Sequence, residues 1–193
     1  MVSEEGLLIS PIVLYDANLL YPFHLRNLLI QLGVHYVVSP RWTAAIHDEW
    51  IRNLVATGRQ TRERLLRTRD LMQLALPDAD VRGYEHRINS LTLPDRDDRH
   101  ILAAAIEAGA GTILTFNLKH FPENSLKPYG VVARHPDDFL CELYVADEEL
   151  INAVVDAARR NLSKSEPSET EFVDALERQK LVKFAALLRR ARR

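Results

Sequence analysis

The chain has 193 residues, 25 Lys and Arg against 27 Asp and Glu, and a formal net charge of −2. That length suits one ordinary domain with room for a C-terminal extension, and the near balance of charge removes any global electrostatic case for nucleic acid. A single cysteine, Cys141, excludes an internal disulfide; with no signal-peptide pattern and no apolar run long enough to span a bilayer, a soluble cytoplasmic protein is expected.

Ile12–Tyr15, a short apolar run between Pro11 and Asp16, predicts a buried strand. Pro22 then opens a helix carrying Phe23, Leu28, Leu29 and Leu32, with Gly33 as its stop. Tyr36–Val38 predicts a second strand. Ser39 as N-cap and Pro40 at the first helical position predict a helix running to about Ala56. Thr61–Leu76 predicts an amphipathic helix whose polar face holds Arg62, Arg64, Arg67 and Arg69, most simply a solvated surface. A weak strand at Ala79–Val81 and a short helix at Tyr84–Leu91 follow. The helix predicted over Asp97–Ala108 ends at Gly109, ahead of strands at Thr112–Phe116 and Gly130–Ala133 and a short helix at Pro136–Tyr144.

Strands alternating with helices argue for an α/β fold whose central parallel sheet is covered on both faces. From Asp147 the pattern becomes helical only, which divides the chain into residues 1–145 and a C-terminal helical extension, 146–193. Asp147–Asn161 reads as one helix and Ser163–Ser168 as a polar connector. Ser168-Glu169-Thr170-Glu171 has the spacing of a capping box and opens a final helix into a basic terminus that includes Lys180, Lys183, Arg189, Arg190, Arg192 and Arg193.

Against this frame, five polar residues stand where chemistry is expected. Asp16 follows the first strand, at the carboxyl edge where open α/β sheets bind ligands; an Asx turn is the plainer alternative. Glu49 falls among Ala45, Ile46 and Trp42 on the apolar side of its helix, where a carboxylate needs a partner, a cation or an arginine. Asp95, Asp97 and Asp98 surround a helix start, and three acids within four residues exceed what capping requires. Asp98 shares a face with Ile101, Leu102 and Ala105 and so points toward the sheet. Asn117 follows the strand predicted at Thr112–Phe116, where a turn-forming role is the alternative. Two carboxylates about 5 Å apart repel by roughly 3 kcal/mol at an effective dielectric near 20. Converging acids therefore raise one another's pKa or recruit a cation. Oxygen ligands of this kind suit Mg²⁺ or Mn²⁺.

The order Asp16, Glu49, Asp98, Asn117 across alternating strands and helices resembles the PIN domain, and LPDRDDRHILAAAIEAGAGTILTFNLKHFP resembles the corresponding segment of VapC-type toxins. The resemblance covers about residues 10–145 and leaves the helices from Asp147 outside. It implies a PIN-like three-layer α/β/α fold and a Mg²⁺- or Mn²⁺-dependent endoribonuclease acting as the toxin of a toxin–antitoxin pair. It also implies metal ligands at Asp16, Glu49 and Asp98, a further acidic match at Asp95, an RNA substrate and a cognate antitoxin protein, and it leaves room for a homodimer. Many members carry an aspartate where this chain has Asn117 or His120. The uncharged Asn117 is what a catalytically weakened PIN-like module, binding RNA or protein, would show. A receiver-type phosphoryl-transfer reading of Asp16 is weakened by the lack of an adjacent acidic pair.

Overall fold

A computed structural model of the chain describes residues 10–191, so Arg192 and Arg193 lie outside the described residues. Four short strands, β1 (Ile12–Tyr15), β2 (Ser39–Arg41), β3 (Thr112–Leu114) and β4 (Val132–Arg134), form one parallel sheet in the order β2-β1-β3-β4. Val13 pairs with both Pro40 and Thr112. Val13, Leu14 and Tyr15 are consecutive and all fully buried. Successive strand residues point to opposite faces, so both faces of the sheet are covered.

The helices in chain order are α1 (Ala17–Leu20), α2 (Phe23–Val34), α3 (Ala44–Ala56), α4 (Arg62–Ala75), α5 (Arg99–Glu107), α6 (Glu123–Leu126), α7 (Pro136–Ala146), α8 (Glu148–Arg160), α9 (Glu169–Arg178) and α10 (Val182–Ala191). α5 packs on β1 and β3, and α2 packs on β2. The expected α/β architecture with a parallel sheet and a helical C-terminal part is present. One hydrophobic cluster runs from Val13 and Ile113 in the sheet to Val154, Phe172 and Phe184 in the C-terminal helices. The core is therefore continuous across residues 145 and 146.

Several local expectations are corrected. The second strand is Ser39–Arg41, not Tyr36–Val38. Ser39 and Pro40 start no helix; the N-cap of α3 is Thr43, whose side chain accepts from the Ile46 backbone N–H. Pro40 is tolerated because β2 is an edge strand of the sheet. Gly33 does not stop α2 but lies within it. A Cβ there would meet Pro40 Cγ at 2.8 Å and Leu76 at 3.0 Å, so the missing side chain admits two neighbours. Ala79–Val81 forms only an isolated bridge, with Asp80 beside Trp42, and Tyr84–Leu91 narrows to a 3-10 turn over Glu85–Ser90. The final helix is two, α9 and α10, broken where Lys180 takes a left-handed conformation at φ 69°. The capping box at Ser168 and Glu171 is present as the spacing predicts.

Candidate functional site

Order β2-β1-β3 makes β1 the point where connections leave in opposite directions. The crevice beyond its carboxyl end is where such sheets hold ligands. Asp16 lies there as the N-cap of α1, its side chain making no capping bond and only 5% of its surface exposed. Thr115, just past β3, donates its hydroxyl to Asp16 Oδ2 at 2.6 Å. Asn18 Nδ2 donates to the same oxygen at 2.5 Å and to Thr115 Oγ1 at 3.0 Å. Asn18 Oδ1 in turn accepts from the Phe116 N–H at 3.1 Å, and Thr115 Oγ1 accepts from the Asn117 N–H at 2.9 Å. This net ties the ends of β1 and β3 together around one carboxylate. Burial pushes the Asp16 carboxyl up to about 6, and the nearby Asp98 charge adds to the rise against the Thr115 bond.

Glu49 comes from α3. The buried stripe of that helix is Ile46, His47, Trp50 and Ile51, while Ala45 is exposed, so Glu49 edges the stripe instead of sitting in its middle. It makes no ion pair among the described residues, so no described arginine bridges it. Partial burial raises its pKa, and the charges of Asp16, Asp98 and Asp97 raise it further against Arg52. Carboxylates distant in sequence thus bear on one another: Asp98 on both Asp16 and Glu49, and Asp16 on Glu49.

Asp98 occupies the N-cap of α5, one step earlier than a first-turn residue, and its side chain makes no capping bond. Its Oδ2 lies 2.7 Å from His120 Nδ1. Asp95 Oδ1 accepts from the Asp97 N–H at 2.9 Å, and its other oxygen is 3.9 Å from His120 Nδ1. Asp95, Asp98 and His120 each bring one ligand atom within 4.8 Å of the others, a spacing that could hold a metal ion. Asn117 is exposed and lines a cavity of about 630 Å³ together with Asn18 and Glu49.

Comparison with known proteins bears on the other end of the chain. Residues 136–190 match the family described as the VapC50 C-terminal domain. The Mycobacterium tuberculosis protein named Putative ribonuclease VapC50 is 53% identical over 58 residues, which is 30% of this chain and 34% of that protein. The resemblance to VapC-type toxins holds. This chain spans about a third (34%) of the length of the relative it matches. No solved structure matches it. The helices from Asp147, which the sequence reading leaves outside the resemblance, lie inside the VapC50-type segment.

That segment also reaches the cavity. Arg178, Gln179 and Lys180, at the break between α9 and α10, line it together with Glu49 and Asn117. Gln179 Oε1 accepts from the Leu25 N–H at 2.8 Å, and its Nε2 lies 3.0 Å from His24 Nδ1, which pins the break to α2. Sequence reasoning did not single out Thr115, His120 or this basic turn as parts of the site. A polar residue at a strand end, and the family's variation at His120, were the available signals. His47, by contrast, is a buried core histidine that accepts from Trp50 Nε1 at 2.9 Å. No helix among the described residues is long and apolar enough to cross a membrane.

Proposed function

We propose that the chain is a metal-dependent endoribonuclease that hydrolyses RNA phosphodiester bonds and acts as the toxin of a toxin–antitoxin pair. The observation that supports the reading is electrostatic: the charge of Asp98 raises the pKa of both Asp16 and Glu49, and that of Asp16 raises the pKa of Glu49, although the three come from separate elements. Their donor set fits a hard divalent cation: carboxylates that raise one another's pKa are relieved by positive charge. Asp16, Glu49 and Asp98 are the proposed ligands, with Mg²⁺ or Mn²⁺ as the ion. Asp95 and His120 extend the donor set; an imidazole among oxygens suits Mn²⁺ better than Mg²⁺. A bound cation of this kind supplies water activation and neutralises charge on the phosphodiester. Thr115 and Asn18 hold the Asp16 carboxylate in one orientation, and His120 does the same for Asp98. Asn117 offers a neutral polar contact at the rim.

The partners that follow are an RNA substrate and a cognate antitoxin, with a homodimer as the proposed assembly and the cytoplasm as the place of action. A second reading, a PIN-like module that binds RNA or protein without cutting, draws on the uncharged Asn117. Incubating the purified chain with RNA, with and without EDTA, separates the two. Cleavage that EDTA stops is expected, and Asp16→Asn and Asp98→Asn are each expected to abolish it while circular dichroism stays unchanged. Cutting at the parental rate by both variants would remove these residues from the site. Growth arrest on expression, relieved by co-expressing the product of an adjacent gene, is the expected sign of the toxin role.

A further inference from the structure

A second cavity, of about 430 Å³, is lined by α2 and α4. Arg26, Ile30 and Val34 recur every fourth residue along one stripe of α2, and Leu71, Met72 and Ala75 come from one stripe of α4. Leu71 is 66% exposed, so the apolar lining can be reached from solution. Three polar side chains of the lining are already engaged. Asn161 Nδ2 donates to Asn27 Oδ1 at 2.8 Å, Asn27 Nδ2 to the Ala158 carbonyl at 2.6 Å, and the Thr68 hydroxyl to the Arg64 carbonyl at 3.1 Å. Among the described residues Phe23 alone also lines the cavity of Glu49 and Asn117.

Arg26 is the one charged residue among the described residues that line it, and only 7% of its surface is exposed. Its Nη1 donates to the Leu20 carbonyl, and its guanidinium lies 5.0 Å from the centre of the Trp50 ring and 5.8 Å from that of Phe23. All three partners are neutral, and Arg26 makes no ion pair among the described residues. Burial draws its pKa down to about 10, as it does for a cation that no anion compensates. A carboxylate matches the planar fork of a guanidinium through parallel hydrogen bonds. One cation calls for one negative charge, and the remaining lining calls for an apolar body. Cavities of this size, apolar with a few placed polar groups, are where small molecules bind.

We propose that this cavity binds a small amphipathic carboxylate, its carboxyl group on Arg26 and its apolar chain along Ile30, Val34 and Leu71. The site goes beyond the nuclease reading and does not depend on it.

The test is isothermal titration of the full chain with decanoate at pH 7.5, in EDTA and without RNA. Saturable binding of one decanoate per chain is expected, with 1-decanol at least about tenfold weaker because it brings no charge to Arg26. Octanoate, two methylenes shorter, should bind about 15-fold more weakly, at roughly fourfold per methylene. Arg26→Met keeps an apolar stem of similar length and should bring decanoate down to the affinity of decanol. Leu71→Glu, at an exposed position where folding is not at stake, should weaken decanoate and decanol alike, and the thermal midpoint of each variant reports its folding. Decanol binding the parent as tightly as decanoate would overturn the proposal. So would parental affinity for decanoate in Leu71→Glu or in a folded Arg26→Met, or a parent that binds an acidic amphipathic peptide but no decanoate. Failure of RNA cleavage in the separate EDTA assay would sink the nuclease reading and leave this site standing.

Discussion

The acidic crevice and the VapC50-type segment are held together by opposite means. Along the segment, helix starts are secured over three residues: Asp147 accepts from the Leu150 N–H, and Ser168 and Glu171 cap each other's backbone. In the crevice, Asn18 reaches Asp16 locally, but the net that fixes both is closed by bonds spanning 97 to 99 residues of chain. Local contacts cost little loop entropy and are written in neighbouring residues; the crevice exists only once the sheet has closed. Acids in the crevice also repel, so the region proposed to bear the chemistry is the one that strains the fold. The segment stabilises and the crevice costs.

That contrast can be broken at four places. Phe172, fully buried in α9 with its ring 5.9 Å from that of His24, is where the segment meets the rest of the core. Phe172→Ala is expected to cost about 3–5 kcal/mol in urea unfolding. A loss under 1 kcal/mol would mean the segment is peripheral to stability. The crevice should respond in the other direction. In EDTA at pH 7.5, Asp16→Asn is expected to raise stability by on the order of 2–3 kcal/mol, because it removes a buried charge whose pKa stands near 6 in the fold. Since the folded pKa is the higher one, this gain is fully present above pH 6 and fades as pH falls toward the ordinary carboxyl range, where Asp16 is neutral in both states. Added Mn²⁺ should raise the melting temperature of the parent and leave the variant unmoved.

Asp137 blurs the contrast. It lies in the first turn of α7, yet its two oxygens accept from the Lys183 and Phe184 N–H groups at 2.9 Å each, so it caps α10 across the fold. Asp137→Ala is expected to cost about 2 kcal/mol and to speed hydrogen exchange along α10 selectively. Ser168→Ala removes only the local box and should cost about 1 kcal/mol, the smallest of these effects. If the Ser168 loss exceeded that at Asp137, the long-range cap would be contributing less than the local one.

The amino-acid sequence by itself determined what neighbours decide: the alternation of strands and helices, the capping box at Ser168, the left-handed Gly109 closing α5, and the placing of Asp16 and Asn117 after strands. Its local misreadings have physical causes too. Ser39 and Pro40 have the chemistry of a helix start, and only their pairing beside β1 makes them an edge strand. Glu49 was legible as an acid on an unusual face, but which side of α3 opens to the cavity depends on what packs against Ile46 and Trp50. Tertiary structure alone decided that Thr115 holds Asp16, that His120 holds Asp98, and that a basic turn from the far end of the chain lines the same cavity. Spacing encodes period and caps; it carries no distance between residues a hundred positions apart, and that distance is set by how the sheet and its covering helices pack.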